Sequence, residues 1–251
     1  EAAAGTTPAN VVLKDRKDWT LTGKPAPRND IPAKINGTAQ FGLDVRLPGM
    51  LYAQAHMAPM LGGTVGSLDT KAALALPGVE QVLPLESIAE STAGFAVVGK
   101  TTWHARQGAA AVVATWQQRA AGPLDSQDIE AKLLAALKSE DGFAFYDTGS
   151  AAKAEAAATR VIEAVYHAPY LAHATMEPMN CTVQIKDGRV DVWAPTQVPD
   201  MARAIAAKVA GVSEDKVTLH TTLLGGGFGR RLEVDHVGQA VQVAMACGGK
   251  P

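Results

Sequence analysis

The sequence predicts an α+β protein made of two successive domains. Three observations carry that expectation. Strand and helix patterns alternate at short intervals between Asn29 and about Gln118. A hairpin pattern, "CTVQIKDGRVDVWA", precedes an amphipathic helix and a further strand. A glycine cluster then separates that strand from a last helix. With 251 residues there is room for one large domain or two small ones.

Residues 1–28 read as an irregular linker broken by Pro8, Pro25 and Pro27. The first domain spans 29–118. Its strands are "TAQFGLDV", "MLYAQAHM", "VEQVLPL", "FAVVGK" and "AVVATWQQ". Its helices are "KAALAL", capped by Asp69-Thr70 and stopped by Pro77-Gly78, and "TTWHARQGAA". Residues 119–150 form a connector. There "SQDIEAKLLAAL" places Ile129, Leu133, Leu134 and Leu137 on one helix face, and Asp141-Gly142 and Thr148-Gly149-Ser150 signal turns. Ser150 caps an Ala-rich helix over 151–158, which opens the second domain, 151–251. "RVIEAVYHAPY" reads as its first strand. In the hairpin, Val183 and Ile185 alternate before Asp187-Gly188, and Val190 and Val192 after it. Pro199 suits the first position of a helix to Ala210, with Met201, Ile205 and Val209 on one face and Gly211 as terminator. "KVTLHTTLL" is a strand, and Val234, Val237, Val241 and Ala244 recur at helical spacing from about Glu233 to Cys247.

Composition excludes several classes. Charged residues are 19% and net charge is -2, so no basic stripe points to nucleic acid. Apolar runs break well before membrane-spanning length. Two scattered cysteines, Cys181 and Cys247, hold no iron–sulfur cluster and are expected as free buried thiols. Both chain ends read as cut from something longer.

Chemistry concentrates in Gly225-Gly226-Gly227-Phe228-Gly229-Arg230-Arg231. Glycines between a strand and a helix permit positive φ and close backbone approach to a ligand. Free N–H groups at the helix start favour an anion, and arginines add bidentate phosphate donors. The pattern therefore reads as a phosphate or pyrophosphate site, or as a tight turn with solvated arginines. No Gly-Lys-Ser/Thr follows, and position 232 is Leu where a dinucleotide fingerprint needs Gly, so simple ATP and NAD sites are disfavoured. Glu177 in "ATMEPMN" reads as a structural carboxylate rather than a catalytic one. His173 and His167 precede it, but no third ligand completes a metal set, and His220 and His236 read as packing or solvated residues.

The glycine loop resembles the Gly-Gly-Gly-Phe-Gly signature of the xanthine dehydrogenase and aldehyde oxidoreductase superfamily. Three further stretches agree in order: "RNDIPAKINGTAQFGLDVRLPGMLYAQ", "YLAHATMEPMNCT" and "VWAPTQVPDMARAIAAKVAGV". The Gly-Arg-Arg run and the Met-Glu-Pro-Met-Asn string resemble the isoquinoline 1-oxidoreductase beta-subunit branch most. The resemblance implies an a/b hammerhead domain followed by the first part of a molybdopterin-binding domain. It also implies a molybdenum–molybdopterin cofactor, in bacteria often the cytosine dinucleotide form. Gln197 matches the glutamine that hydrogen-bonds an oxo ligand of molybdenum, and Gly225–Gly229 with Arg230 and Arg231 match the cofactor-facing loop.

The family's function would be oxidation of aldehydes or N-heteroaromatics with oxygen from water. Its partners would be an iron–sulfur small subunit and the remainder of the large subunit. Where the xanthine-oxidising branch continues Gly-Lys-Glu, this chain has Arg230, Arg231 and Leu232, which disfavours purines. Glu233 lies one helical step, about 100°, away and does not replace that carboxylate. The family's C-terminal base glutamate, in a Gly-x-Gly-Glu motif, has no match, so the segment alone is expected to be inactive. A non-catalytic binding or assembly module with the hammerhead fold is the alternative, against which the retention of both Gln197 and the intact loop counts. Relatives of this branch are often exported to the periplasm.

Overall fold

The computed structural model describes residues 11–88, 91–139 and 142–251. Asp141 and the first ten residues lie outside these, so the Asp141-Gly142 turn and Pro8 are not addressed. The chain divides into two compact units, 1–39 and 40–251. In the first, a short helix α1 (Ile31–Ile35) forms ahead of the elements expected from the sequence. Pro32 in its first turn has no N–H to lose, and Asp30 ties the turn to Arg28 at 2.9 Å and Lys34 at 2.6 Å.

The second unit begins with β1 (Tyr52–Met57), β2 (Thr64–Asp69), α2 (Lys71–Leu74), β3 (Val79–Leu85), β4 (Gly94–Gly99), α3 (Thr102–Ala111) and β5 (Val113–Gln117). β4 is the middle strand of an antiparallel β1-β4-β3 sheet, which is why all six of its residues are buried. α3 lies against it, with Thr101 capping the helix through the His104 N–H. Gly108 sets their separation: a Cβ there would be 2.7 Å from Val97. β2 pairs with β5, and a register shift at Gly66 breaks the alternation that would have revealed β2 in the sequence.

"TAQFGLDV" is not a strand. Gly42–Asp44 form a 3₁₀ turn because the Asp44 carboxylate accepts the Phe41 N–H at 2.9 Å, a local bond that displaces ladder pairing. Only a single parallel bridge, Phe41 to Leu223, remains of sheet character.

In the connector, α4 (Ser126–Ala136) is capped by Asp125, and α5 (Ala151–Ala157) forms with the cap expected, Ser150. Neither buries a residue, and on the leucine face of α4 Leu133 and Leu137 are 55% and 72% exposed. "RVIEAVYHAPY" is also not a strand: the backbone over 160–170 makes no ladder, and Tyr166 and Tyr170 are 91% and 78% exposed. Its alternation is that of a strand, yet nothing among the described residues pairs with it.

The remaining elements are β6 (Thr182–Lys186), β7 (Arg189–Ala194), α6 (Pro199–Ala210), β8 (Val217–Thr221) and α7 (Asp235–Ala246). β6 and β7 are the expected hairpin, with Asp187 and Gly188 both at positive φ, 51° and 72°, the geometry of a two-residue primed turn. β7 and β8 are parallel and are joined through α6. Val183, Val190, Val192 and Ala194 pack against Ala202, Ile205 and Ala206 of α6 and Val237, Val241 and Ala244 of α7. Met201 falls outside that face and is exposed, because Ala202 and Ala206 let α6 approach the sheet on the neighbouring side. α7 also leans on the first sheet, where Val243 and Cys247 meet Leu83 and Leu85. Both cysteines are free, and burial pushes both thiols up. No helix of the described residues is long and apolar enough to cross a membrane.

Candidate functional site

Parallel pairing of β7 and β8 decides which loops meet. Ala194 lies opposite Thr221, so both strands end at the same edge. The chain leaving β7 delivers Pro195, Thr196 and Gln197 there, and the chain leaving β8 delivers the glycine loop. Because β6 runs antiparallel to β7, the segment that enters β6 arrives at that edge as well, since Thr182 faces Trp193. Three loops, 173–181, 195–198 and 222–231, therefore converge where ligands bind in many α/β sheets, beyond the carboxyl ends of parallel strands.

The glycine loop runs between the other two. On one side the Glu177 N–H donates to the Gly225 carbonyl at 3.0 Å, and a Cβ at Gly225 would fall 2.3 Å from that of Glu177. A Cβ at Gly226 would approach Thr175 at 3.5 Å, and one at Gly229 would approach His173 Nε2 at 3.8 Å. On the other side Gln197 Oε1 accepts the Gly229 N–H at 3.1 Å, and a Cβ at Gly227 would lie 2.5 Å from that oxygen. The Gln197 N–H is itself held by the Arg231 carbonyl at 3.0 Å. Gln197 and the loop thus form one contiguous wall. With its carbonyl oxygen turned inward, Gln197 leaves its amide Nε2 without an acceptor among the described residues.

Gly226 and Gly229 sit at φ of 104° and 93°, and Phe228 holds φ 51°, unusual for a residue with a side chain. Its ring is 74% exposed and covers Gly226. The N–H groups of Gly226, Gly227 and Phe228 have no acceptor among the described residues, so three consecutive donors are free.

The two arginines behave differently from the sequence expectation. Arg231 is 0% exposed. Its Nε donates to the Gly226 carbonyl at 2.8 Å, its Nη1 to Pro195 at 3.1 Å, and its Nη2 to the Glu177 carbonyl at 2.9 Å and carboxylate at 3.1 Å. It is a strut inside the loop, not a phosphate donor, because a guanidinium removed from water must find its acceptors within the protein. Burial pulls it below the usual arginine range, while Glu177 pulls the other way. Arg230 is engaged bidentately by Asp235 at 2.9 and 2.8 Å and remains partly accessible. Burial acts to raise the Asp235 carboxyl, but neighbouring His236 and the hydrogen bonds from Arg230 outweigh it and hold the group well below the usual range.

Glu177 is the structural carboxylate expected from the sequence, although its partners could not be read there. Its carboxylate accepts from the Leu43 N–H, Asn180 Nδ2, the Gly225 N–H and Arg231. Four donors occupy its lone pairs, so it anchors the loop and is not free to take a proton from a ligand. A carboxylate 54 residues from its arginine gives no sequence signal. His220 is bound by Asp191 and stacked on Trp193, and His236 is buried. Among the described residues no group of three or more His, Cys, Asp or Glu side chains could hold a metal ion.

Residues 137–251 match the molybdopterin cofactor-binding domain family. The chain is 34% identical to isoquinoline 1-oxidoreductase subunit beta from Brevundimonas diminuta over 98% of its own length and 32% of the relative's. It is 33% identical to the membrane-bound aldehyde dehydrogenase [pyrroloquinoline-quinone] of Gluconacetobacter polyoxogenes, over 97% of the chain and 32% of that protein. Its fold matches quinoline 2-oxidoreductase from Pseudomonas putida 86 with a TM-score of 0.66 at 18% identity, covering 90% of the chain and 34% of that structure. The chain spans about a third of the length of the curated relatives it matches. The stretch matched to the molybdopterin cofactor-binding domain, 137–251, carries both Gln197 and the glycine loop.

Proposed function

We propose that the chain forms the cofactor-facing wall of a molybdenum hydroxylase that oxidises aldehydes or N-heteroaromatic compounds with water as oxygen source. One observation carries the reading: the spare Gln197 amide lies beside three unpaired N–H groups, those of Gly226, Gly227 and Phe228. This donor set fits a cofactor rich in oxygen acceptors, and the absence of Cβ atoms at Gly225 and Gly227 lets Glu177 and Gln197 pack directly against the loop that presents it. Bound there, the molybdenum cofactor would supply two-electron redox chemistry.

The chain's own residues bind and orient. Gln197 offers its N–H₂ to an oxo-type acceptor while its carbonyl oxygen keeps Gly229 in place. Arg231 and Glu177 fix the Gly225 and Gly226 ends of the loop so that its donors need not reorganise. Arg230, partly accessible, is the one arginine able to share an anion with Asp235. Exposed Phe228 and Leu232 give the mouth an apolar character that favours aldehydes and less polar heterocycles over purines. The names of relatives support both classes.

We further infer that 29–118 is an a/b hammerhead domain and that the molybdopterin-binding domain begins near residue 151. Electrons would leave the cofactor to an iron–sulfur small subunit. Metal and pterin analysis of the full-length protein tests the reading. Stoichiometric molybdenum with a pterin is expected, and a preparation active on an aldehyde without molybdenum would overturn it.

A further inference from the structure

We propose that His173 is a ligand-facing residue of this site, donating an imidazole N–H to an oxygen or ring-nitrogen acceptor held against Gly227–Gly229. The proposal rests on the molybdenum reading above. His173 Nε2 lies 3.8 Å from the position a Cβ would take at Gly229, whose N–H is bound by Gln197 from the other direction. Two side chains with spare nitrogen thus flank one glycine. The backbone is shaped to bring this about. Ala174 holds φ 47°, a left-handed conformation that L side chains rarely keep unless their surroundings impose it. The surroundings here are the bond from Thr175 Oγ1 to the Glu177 carbonyl at 2.8 Å and that from the Glu177 N–H to Gly225 at 3.0 Å. Non-glycine strain therefore occurs on both sides of the same cradle, at Ala174 and at Phe228.

Most of the other histidines have partners of their own. His56 stacks on Phe95, His104 meets Thr101, His167 pairs with Glu130 and His220 with Asp191, while His236 is buried beside Asp235. His173 is exposed and makes no hydrogen bond among the described residues, and its Nε2 lies on the Gly229 side of the loop. The acceptor it meets belongs either to the cofactor or to the substrate, and both present the same chemistry.

The test uses the full-length enzyme with three variants, His173→Ala, His173→Gln and His173→Asn, reading molybdenum per protein as well as kinetics. Losing a donor to a charged or strongly polar acceptor should cost about tenfold. If the acceptor is on the cofactor, His173→Ala lowers molybdenum content about tenfold. If it is on the substrate, molybdenum content holds and KM rises about tenfold with kcat little changed. In either case His173→Gln or His173→Asn, which keep an N–H, recover most of the loss. The proposal is overturned if His173→Ala leaves both readouts within about twofold of wild type, or if neither amide variant recovers any of the loss. A wild-type enzyme devoid of molybdenum would instead sink the reading beneath it.

Discussion

Gly227 and Gln197 compete for the same space, and that makes the pair testable. A Cβ at Gly227 would meet Gln197 Oε1 at 2.5 Å, so Gly227→Ala must push the amide aside and release Gly229. In the full-length enzyme we expect molybdenum content to fall while the unfolding midpoint stays near wild type, because the clash involves a surface side chain. Gln197→Glu keeps the bond to Gly229 but replaces the outward donor by an acceptor, and should lower kcat/KM about 100-fold in steady-state assays. Arg231→Met strands the Glu177 carboxylate in the interior. Urea unfolding should show a loss of about 3–5 kcal/mol, part of it regained when Glu177→Gln is added. Asp235 has a folded-state pKa below its unfolded value, so its contribution to stability is present above about pH 4 and is lost as pH falls below it. The deficit of Asp235→Asn against wild type should therefore be full at pH 7 and shrink in acid, as read by unfolding at several pH values.

At the scale of elements, the patterns that could be read were those complete within a few residues. The Asp187-Gly188 hairpin, the Pro199–Gly211 boundaries of α6 and the cap of α5 all depend on neighbours in sequence. Gly188 has open space around it, so Gly188→Ala should cost about 1–2 kcal/mol from φ alone, whereas Gly188→Asn should cost less. A smaller cost for alanine than for asparagine in thermal unfolding would contradict this. "TAQFGLDV" failed as a strand because one side-chain bond, Asp44 to Phe41, competes with pairing that a propensity pattern cannot weigh. The run 160–170 failed for a different reason: alternation identifies a strand only if a partner exists. Amide hydrogens across it should exchange at nearly unprotected rates in the isolated chain, since no backbone bond is made there.

For the molecule as a whole, the second unit is organised by two sheets that share α7 as a common support. Leu85 belongs to the sheet that Val243 and Cys247 of α7 cover, and Leu85→Ala should destabilise by about 2–5 kcal/mol in equilibrium unfolding. The one carboxylate at the cradle, Glu177, is saturated, so the 251-residue chain by itself holds no free general base at that position. We expect the purified chain to turn over neither an aldehyde nor a quinoline-type substrate. Measurable oxidation by it would refute the assignment of Glu177 as a structural anchor.

The linear sequence was enough to mark the glycine loop and Gln197, because glycine runs and a Trp-x-x-Thr-Gln string carry their meaning locally. Folding alone decided that these meet, since the parallel register of β7 and β8 brings segments 28 and more residues apart to one sheet edge. It also decided that Arg231 faces inward and Arg230 outward. Two adjacent arginines look alike in a string of letters, and only the buried carboxylate of Glu177 distinguishes them.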